Sequence, residues 1–472
     1  MGTSKAADAD PRLSVGPILA AAGFPTKLLV LDFETFYSSK FSLSKLTIPL
    51  YVHDPRFRIH GLAVRWPGGR TAFQTDVEQC LAALRQAFGD HLERITVVAH
   101  NWRFDGYILN TRFGCHPPHV VDTLDLARHV HPTKGGHKLR DLATAYGLTP
   151  KGEITNLSGI RELNPQQLTH LAAYARHDVE LASVLVARLL PEVSRPEVEL
   201  RIAAHTAKLF TERGVRIDCE GAAQLLEVFD SDLQSKLAAA GIDRKTAGGN
   251  AFLTLLTAEL AKDGRSVPMK EGKNGLIPAV AKTDQPMSGL VSDANLRVAS
   301  LAQARLAVKS APQFQKRLKM FVDIATVTDG ILPVHLNYCG AHTGRFSGGG
   351  GTNLQNLAKH LDGPSSQFRR LIRPAPGHRF AIADLAQIEA RVLAWLAGQD
   401  DLVEAFREGR DVYSEFASEV THKPVRKPEA DDSPEVAARL KARRQLGKQA
   451  ILGLGYQMGP ERFWEQVQKN PL

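Results

Sequence analysis

Between residues 27 and 190 short strand-like runs alternate with helix-like ones, and this alternation restricts the fold more than any other feature of the chain. KLLVLDFET, IHGLAVRW and ITVVAHN read as strands, whereas VEQCLAALRQAF and QLTHLAAYARHDVELASVLVARLL repeat apolar residues at helical spacing. Strands interleaved with helices bury both kinds of apolar face only as an α/β layer structure. Pro191 and Pro196 close this segment, so residues 25–195 are expected to form one domain after a flexible start at residues 1–24. Residues 196–330 are mostly helical by period. The stretch KDGRSVPMKEGKNGLIPAVAKTDQPMSG within them lacks periodicity and is expected to be an exposed loop. From Ile331 a third region begins, with a strand-like segment, the glycine run SGGGGTN, the unit AIADLAQIEARVLAWLAG and the charged insert HKPVRKPEADDSPEVAARLKARR.

A chain of 472 residues with 43% hydrophobic and 23% charged residues has the composition of a folded protein with several cores, not of a disordered one. Its net charge of +9 permits a polyanionic partner. Cys80, Cys115, Cys219 and Cys339 are far apart and form no C-x-x-C pair, which points to reduced thiols and away from a zinc knuckle. VGPILAAAGF is too short to span a membrane, and what precedes it lacks the basic region of a secretory signal and the myristoylation pattern. A soluble, cytoplasmic protein with no membrane partner is expected.

In LLVLDFET, Asp32 and Glu34 lie two apart on a strand, so both carboxylates project from one face. Like charges that close raise each other's pKa unless a cation lies between them. VVAHNWRFDGYIL adds Asn101 and Asp105 at a strand end and helix start, and YARHDVE sets Tyr174 and Asp178 four apart on one helical face. Four carboxylates with an Asn and a Tyr suit two divalent cations working on a phosphodiester, and an oxygen-only ligand set suits Mg²⁺ or Mn²⁺.

At this point residues 25–190 resemble the DEDD proofreading exonucleases, in the variant with Tyr in the third motif. The resemblance implies Asp32, Glu34, Asp105 and Asp178 as metal ligands, two ions in the site, Tyr174 orienting the attacking water, and Asn101 as a DNA contact. His177 adjoins Asp178, but the histidine variant carries its histidine further ahead of the aspartate. Trp102 and Phe104 are candidates for stacking an unpaired base, with core packing the commoner fate of such rings.

Asp384 raises a second question. If Arg379–Leu385 is a strand, Phe380, Ile382 and Asp384 share one face of it, and from Gln387 the spacing of Ile388, Val392 and Leu396 turns helical. Upstream, GAHTGRFSGGGGTNLQNLAK combines His342, Thr343 and Arg345 with a glycine-rich turn and Asn353, Gln355 and Asn356, chemistry suited to a nucleic-acid groove. No Gly-Lys-Ser/Thr follows the glycines, so this is not a P-loop. Downstream, RRQLGKQAILGLGYQMG sets Arg444, Lys448, Leu452 and Tyr456 four apart along a helix, cationic at its start and aromatic at its end.

In this order the three stretches resemble the T-x-x-G-R segment, motif A and motif B of family A DNA polymerases, nearest to the bacteriophage-type members. The resemblance implies that His342, Thr343, Arg345, Asn353, Gln355 and Asn356 contact primer–template DNA and that Asp384 binds the catalytic metals. It also implies that Arg444 and Lys448 hold the incoming deoxynucleoside triphosphate, Lys448 being a candidate proton donor to pyrophosphate, that Tyr456 closes over the nascent pair, and that Glu389 is the steric gate that selects deoxyribose. Leu452 falls at a nucleotide-binding position against the incoming sugar but departs from the aromatic residue that many members carry there, and Gly447, Gly453 and Gly455 each weaken the helix by up to about 1 kcal/mol.

The family's second metal-binding aspartate stands in a His-Asp-Glu hairpin. The only His-Asp pairs here are His53-Asp54 and His177-Asp178. The expectation is therefore a multidomain chain: an RNase H-like exonuclease at 25–195, a thumb-like helical region at 196–330, and an incomplete α+β palm with helical fingers at 331–472. As a polymerase, truncated or split, it would draw the missing palm from a second polypeptide in a bacterial, prophage or phage-infected cell. Two rivals are a stand-alone 3′–5′ exonuclease with an inactive polymerase remnant and a non-catalytic primer–template binding module.

Overall fold

The computed structural model describes residues 15–133, 136–154, 157–272, 275–282, 284–357 and 364–468. The chain divides into two compact units, residues 1–378 and 379–472, so the break falls well after Ile331, where the sequence suggested a boundary.

The first unit opens on a five-stranded mixed sheet of β1 (Leu28–Thr35), β2 (Ile59–Arg65), β3 (Thr71–Gln74), β4 (Thr96–Ala99) and β5 (Val120–Asp122), in the order β3-β2-β1-β4-β5. β1 runs antiparallel to β2 and parallel to β4, and β4 runs parallel to β5. β4 is buried on both faces, as an inner parallel strand covered by helices must be. Helices Val77–Phe88 and Pro165–Leu189 match the periodic runs read from the sequence, and the longer starts at a capping box made by Asn164 and Gln167. Residues 15–24 are not a frayed start. Val15–Ala21 is a helix, and Val15, Leu19 and Phe24 are buried in the core around the five-stranded sheet. Residues 1–14 lie outside the described residues.

Residues 196–330 are helical as expected, dominated by Cys219–Ala239 and the 32-residue Leu296–Val327, which pack along one another. The stretch expected as an exposed loop is partly ordered instead. It holds an antiparallel pair, Met269–Gly272 with Gly275–Pro278, and the helix Gln285–Val291, because Val280, Met287 and Leu290 are drawn into the core formed by the neighbouring helices. A three-stranded antiparallel sheet, Ile372–Arg373, Gly214–Ile217 and Ile331–Pro333, ties residues 331–378 back to this unit.

The second unit contains helices Ile388–Ala397, Asp400–Arg407, Val412–Thr421, Pro434–Gly455 and Pro460–Gln468 around a small core that includes Ala394, Phe406 and Tyr413. One expectation fails here. Arg379–Leu385 is not a strand: it has no regular structure and no paired neighbour among the described residues, and Ile382 is 91% exposed. A run of alternating residues becomes a strand only when another strand takes its backbone hydrogen bonds. From Pro434 the charged insert forms the first half of the helix that carries Arg444, capped by the Ser433 hydroxyl. Among the described residues no helix is long and apolar enough to cross a membrane, and the four cysteines are free.

Candidate active site

Three of the four carboxylates named from the sequence converge. Asp32 and Glu34 project from one face of β1 opposite Ala63 and Gly61 of β2, and the Phe73 ring of β3 lies against Gly61, where a Cβ would come within 2.3 Å of it. Asp178 joins them from the helix Pro165–Leu189, and carboxylate oxygens of Asp32, Glu34 and Asp178 lie within 4.8 Å of one another. Asp105, buried in the first turn of helix Trp102–Phe113, is turned to the backbone beside them and accepts the Phe33 N–H at 2.9 Å. Asp178 Oδ1 is buried with no hydrogen-bond partner.

The electrostatics are those of a site lacking enough positive charge. Burial, reinforced by Asp178, pushes Asp32 up to about 7. Burial and then Asp32 push both Glu34 and Asp105 well above the usual carboxylate range. Burial also raises Asp178, against the pull of Lys151. Tyr174, four residues before Asp178, is pushed up to about 12 by burial and the Asp178 charge, so its hydroxyl keeps its proton at neutral pH. Three converging carboxylates and an orphaned buried oxygen fit a divalent cation, and the donor set is all oxygen.

Sequence reasoning missed Lys151. Its Nζ lies 2.5 Å from Asp178 Oδ2 and 4.9 Å from the centre of the Tyr174 ring. Burial opposes its charge, but Asp178 and Tyr174 outweigh burial and hold the ammonium above its ordinary pKa. The signal that could have found it is the acid cluster itself, which demands a cation, since the surrounding sequence has no period. Trp102 is core, 1% exposed, and Phe104 packs against the same core.

Asn101 takes a left-handed conformation with φ 76°, and its N–H donates to buried Asp122. It lines a cavity of about 240 Å³ together with Phe210, His335, Gly350 and Thr352. Gly350 has φ +62°, and a Cβ there would come within 2.6 Å of the His335 ring, so this turn requires glycine. His342, Thr343 and Arg345 are exposed between the paired strands Leu336–Asn337 and Ser347–Gly348. Gln355 and Asn356 are exposed in the turn Leu354–Asn356, which Asn353 precedes. Arg317, unremarked in the sequence, fixes this turn by donating to the carbonyls of Thr352 at 2.9 Å and Asn356 at 3.1 Å.

In the second unit, Arg444 forms a two-pronged ion pair with Asp411 at 2.7 and 2.9 Å and lies over the Tyr413 ring. Arg444 and Lys448 line a cavity of about 430 Å³ with Arg391, Arg410, Lys427 and the acidic Asp411, five cations to one carboxylate, a wall suited to a polyphosphate. Glu389 is in the first turn of helix Ile388–Ala397, where its charge also raises Tyr413 after burial has done so. Leu452 packs against the core of the unit, Tyr456 is exposed at the end of the long helix, and Asp384 is exposed in the irregular segment before Gln387.

Residues 70–194 match the family profile described as 3′-5′ exonuclease, and residues 265–470 match the profile described as DNA polymerase family A. Asp32 and Glu34 precede the first match, so their assignment rests on the geometry. DNA polymerase I of Chloroflexus aurantiacus is 27% identical over 260 residues, covering 54% of this chain and 27% of that protein. The thermostable DNA polymerase I of Thermus aquaticus is 32% identical over 150 residues, 30% of this chain and 17% of that protein. The DNA polymerase of Bacillus phage SP02 is 25% identical over 92% of this chain and 70% of its own length. The matches therefore span about a quarter or less of the two bacterial relatives. A solved structure, the POL domain of Pol1 from M. smegmatis in complex with DNA primer-template and dNTP, superimposes with a TM-score of 0.64 at 20% identity, over 96% of this chain and 72% of that one. The two profile matches follow one another along a single polypeptide: residues 70–194 are similar to 3′-5′ exonucleases, and residues 265–470, a little under half of the chain, are similar to DNA polymerase family A.

Proposed function

We propose that this chain removes nucleotides from the 3′ end of DNA at the Asp32–Glu34–Asp105–Asp178 site and that its polymerase region binds primer–template DNA and a deoxynucleoside triphosphate. The observation that carries the reading is the convergence of Asp32, Glu34 and Asp178 around an unpartnered carboxylate oxygen. Two divalent ions, Mg²⁺ or Mn²⁺, would be held by these carboxylates and supply an activated water and a stabilised leaving oxygen. The protein's own part is positional. Asp105 is fixed by the Phe33 N–H, and Tyr174, protonated at neutral pH, presents a hydroxyl beside Asp178 that can orient the water.

For synthesis, Asp384 is the metal-binding carboxylate, Arg444 and Lys448 grip the triphosphate, Glu389 selects the sugar and Tyr456 closes on the base pair. His342, Thr343, Arg345, Asn353, Gln355 and Asn356 contact the template–primer, as Asn101 does the 3′ end. In this reading residues 196–330 act as thumb and 331–472 as palm and fingers, in a bacterial or phage-infected cytoplasm. Synthesis needs a second carboxylate besides Asp384, and the comparisons lend no support to a separate polypeptide as its source.

The test is hydrolysis of 5′-labelled single-stranded DNA in Mg²⁺. Asp32→Ala with Glu34→Ala should slow it by orders of magnitude while DNA binding is retained, and unchanged hydrolysis in the double variant overturns the assignment.

A further inference from the structure

The cation in the carboxylate cluster is part of the chain. Lys151 reaches it from the irregular segment between helices Leu139–Ala145 and Pro165–Leu189. That segment is tied to the longer helix at consecutive positions: the His177 ring lies 3.2 Å from the Pro150 carbonyl oxygen, and the Lys151 ammonium lies 2.5 Å from Asp178 Oδ2. Gly152 follows directly against the Tyr174 ring, where an added Cβ would be in van der Waals contact at 3.5 Å. The ammonium thus takes one oxygen of Asp178 while the other, Oδ1, stays buried and unpartnered.

We propose that Lys151 is a resident counter-ion which a divalent cation must displace, so that this side chain sets how tightly the exonuclease site takes metal. The inference rests on the metal-site reading above. An ammonium bound to Asp178 and a divalent ion drawing on the same carboxylate repel each other, so full ligation requires the lysine to withdraw. Its four-carbon stem is flexible enough to do so, and its compact charge is satisfied by water once outside. The observed metal affinity is then the intrinsic affinity reduced by the fraction of molecules in which the lysine is away. A lysine that merely props up the helix would do the opposite, and its loss would loosen the site and weaken metal binding.

The experiment uses the full chain, stripped of metal and free of DNA, titrated with Mn²⁺ alone and followed by electron paramagnetic resonance of the free ion. Lys151→Met removes the charge, keeps an unbranched side chain and should bind Mn²⁺ about tenfold more tightly than wild type, the change expected if the lysine occupies the site about nine-tenths of the time. Lys151→Arg should stay near wild type, and Lys151→Gln serves as a second neutral variant should Lys151→Met fold poorly. The melting temperature of both neutral variants should also rise more on Mn²⁺ addition than that of wild type. Equal or weaker Mn²⁺ binding by the neutral variants overturns the counter-ion role alone. Binding by wild type and Lys151→Met no stronger than by Asp178→Asn overturns the metal site and this inference together.

Discussion

Arg103 donates through Nε to the carbonyl oxygen of Leu336 at 3.1 Å, across 233 residues of sequence. The same guanidinium faces Asp125 at 3.2 Å and Asp122 at 3.5 Å, and all three charged groups are buried. Asp122 in turn accepts the N–H groups of Asn101 and Trp102 and caps the helix Thr123–Val130. One side chain therefore joins the helix that carries Asp105 to the strand pair that carries His342, Thr343 and Arg345. Removing one member of a buried ion network leaves uncompensated charge, so Arg103→Met should cost about 3–5 kcal/mol in urea unfolding. Adding Asp125→Leu should recover part of that loss, and a single variant as stable as wild type would show the network to be dispensable.

The metal-free protein should lose stability as pH rises between about 4 and 7. Asp32 is shifted from 3.8 to about 7 by burial and Asp178, so in that window the folded chain holds a proton that the unfolded chain has released. Stability from this group is complete below the unfolded pKa and is lost as pH climbs through the folded one. Glu34 and Asp105 shift in the same direction. Melting curves in EDTA at pH 5.5 and pH 8 should therefore differ more for wild type than for Asp32→Asn. A saturating divalent cation should shrink the wild-type difference, because it replaces the protons.

Gly447 bears on the helix Pro434–Gly455, which the sequence reading considered weakened by its glycines. A Cβ at Gly447 would stand 2.0 Å from the carbonyl oxygen of Tyr413, so here glycine lets two helices approach rather than merely softening one. Gly447→Ala gains up to about 1 kcal/mol of helix propensity but forces the helices Val412–Thr421 and Pro434–Gly455 apart, at about 1–3 kcal/mol. A net fall in stability is expected by denaturant titration, and a rise would mean that the pair relaxes freely.

What the sequence disclosed and what it hid divide along the range of the interactions. β1 and the helix Pro165–Leu189 were legible because period, cap residues and burial all act within a few residues, and the same locality set Asp32 beside Glu34 and Tyr174 beside Asp178. Lys151, Arg103 and Arg317 were not, because each acts on groups 19 to 233 residues away and carries no local pattern. The misread strand at Arg379–Leu385 has the same cause. Alternation describes one strand, whereas a strand exists only with a neighbour.

Glu389 separates a sugar-selecting role from a helix-supporting one. It lies in the first turn of helix Ile388–Ala397, where a carboxylate favours the positive end of the helix dipole by about 0.3–1 kcal/mol whatever else it does. Its charge also helps to raise the Tyr413 phenol after burial, and Tyr413 lies beneath Arg444, one of the proposed triphosphate ligands. A side chain that crowds a ribose 2′-hydroxyl acts on the difference between two transition states, whereas a helix-stabilising charge acts on both alike. In whichever form of the enzyme extends primers, Glu389→Ala should raise ribonucleotide incorporation relative to deoxynucleotide incorporation by about 10- to 100-fold in single-nucleotide competition. Its melting temperature should fall only slightly. Equal losses with both sugars, together with a fall in melting temperature, would assign Glu389 to the helix instead.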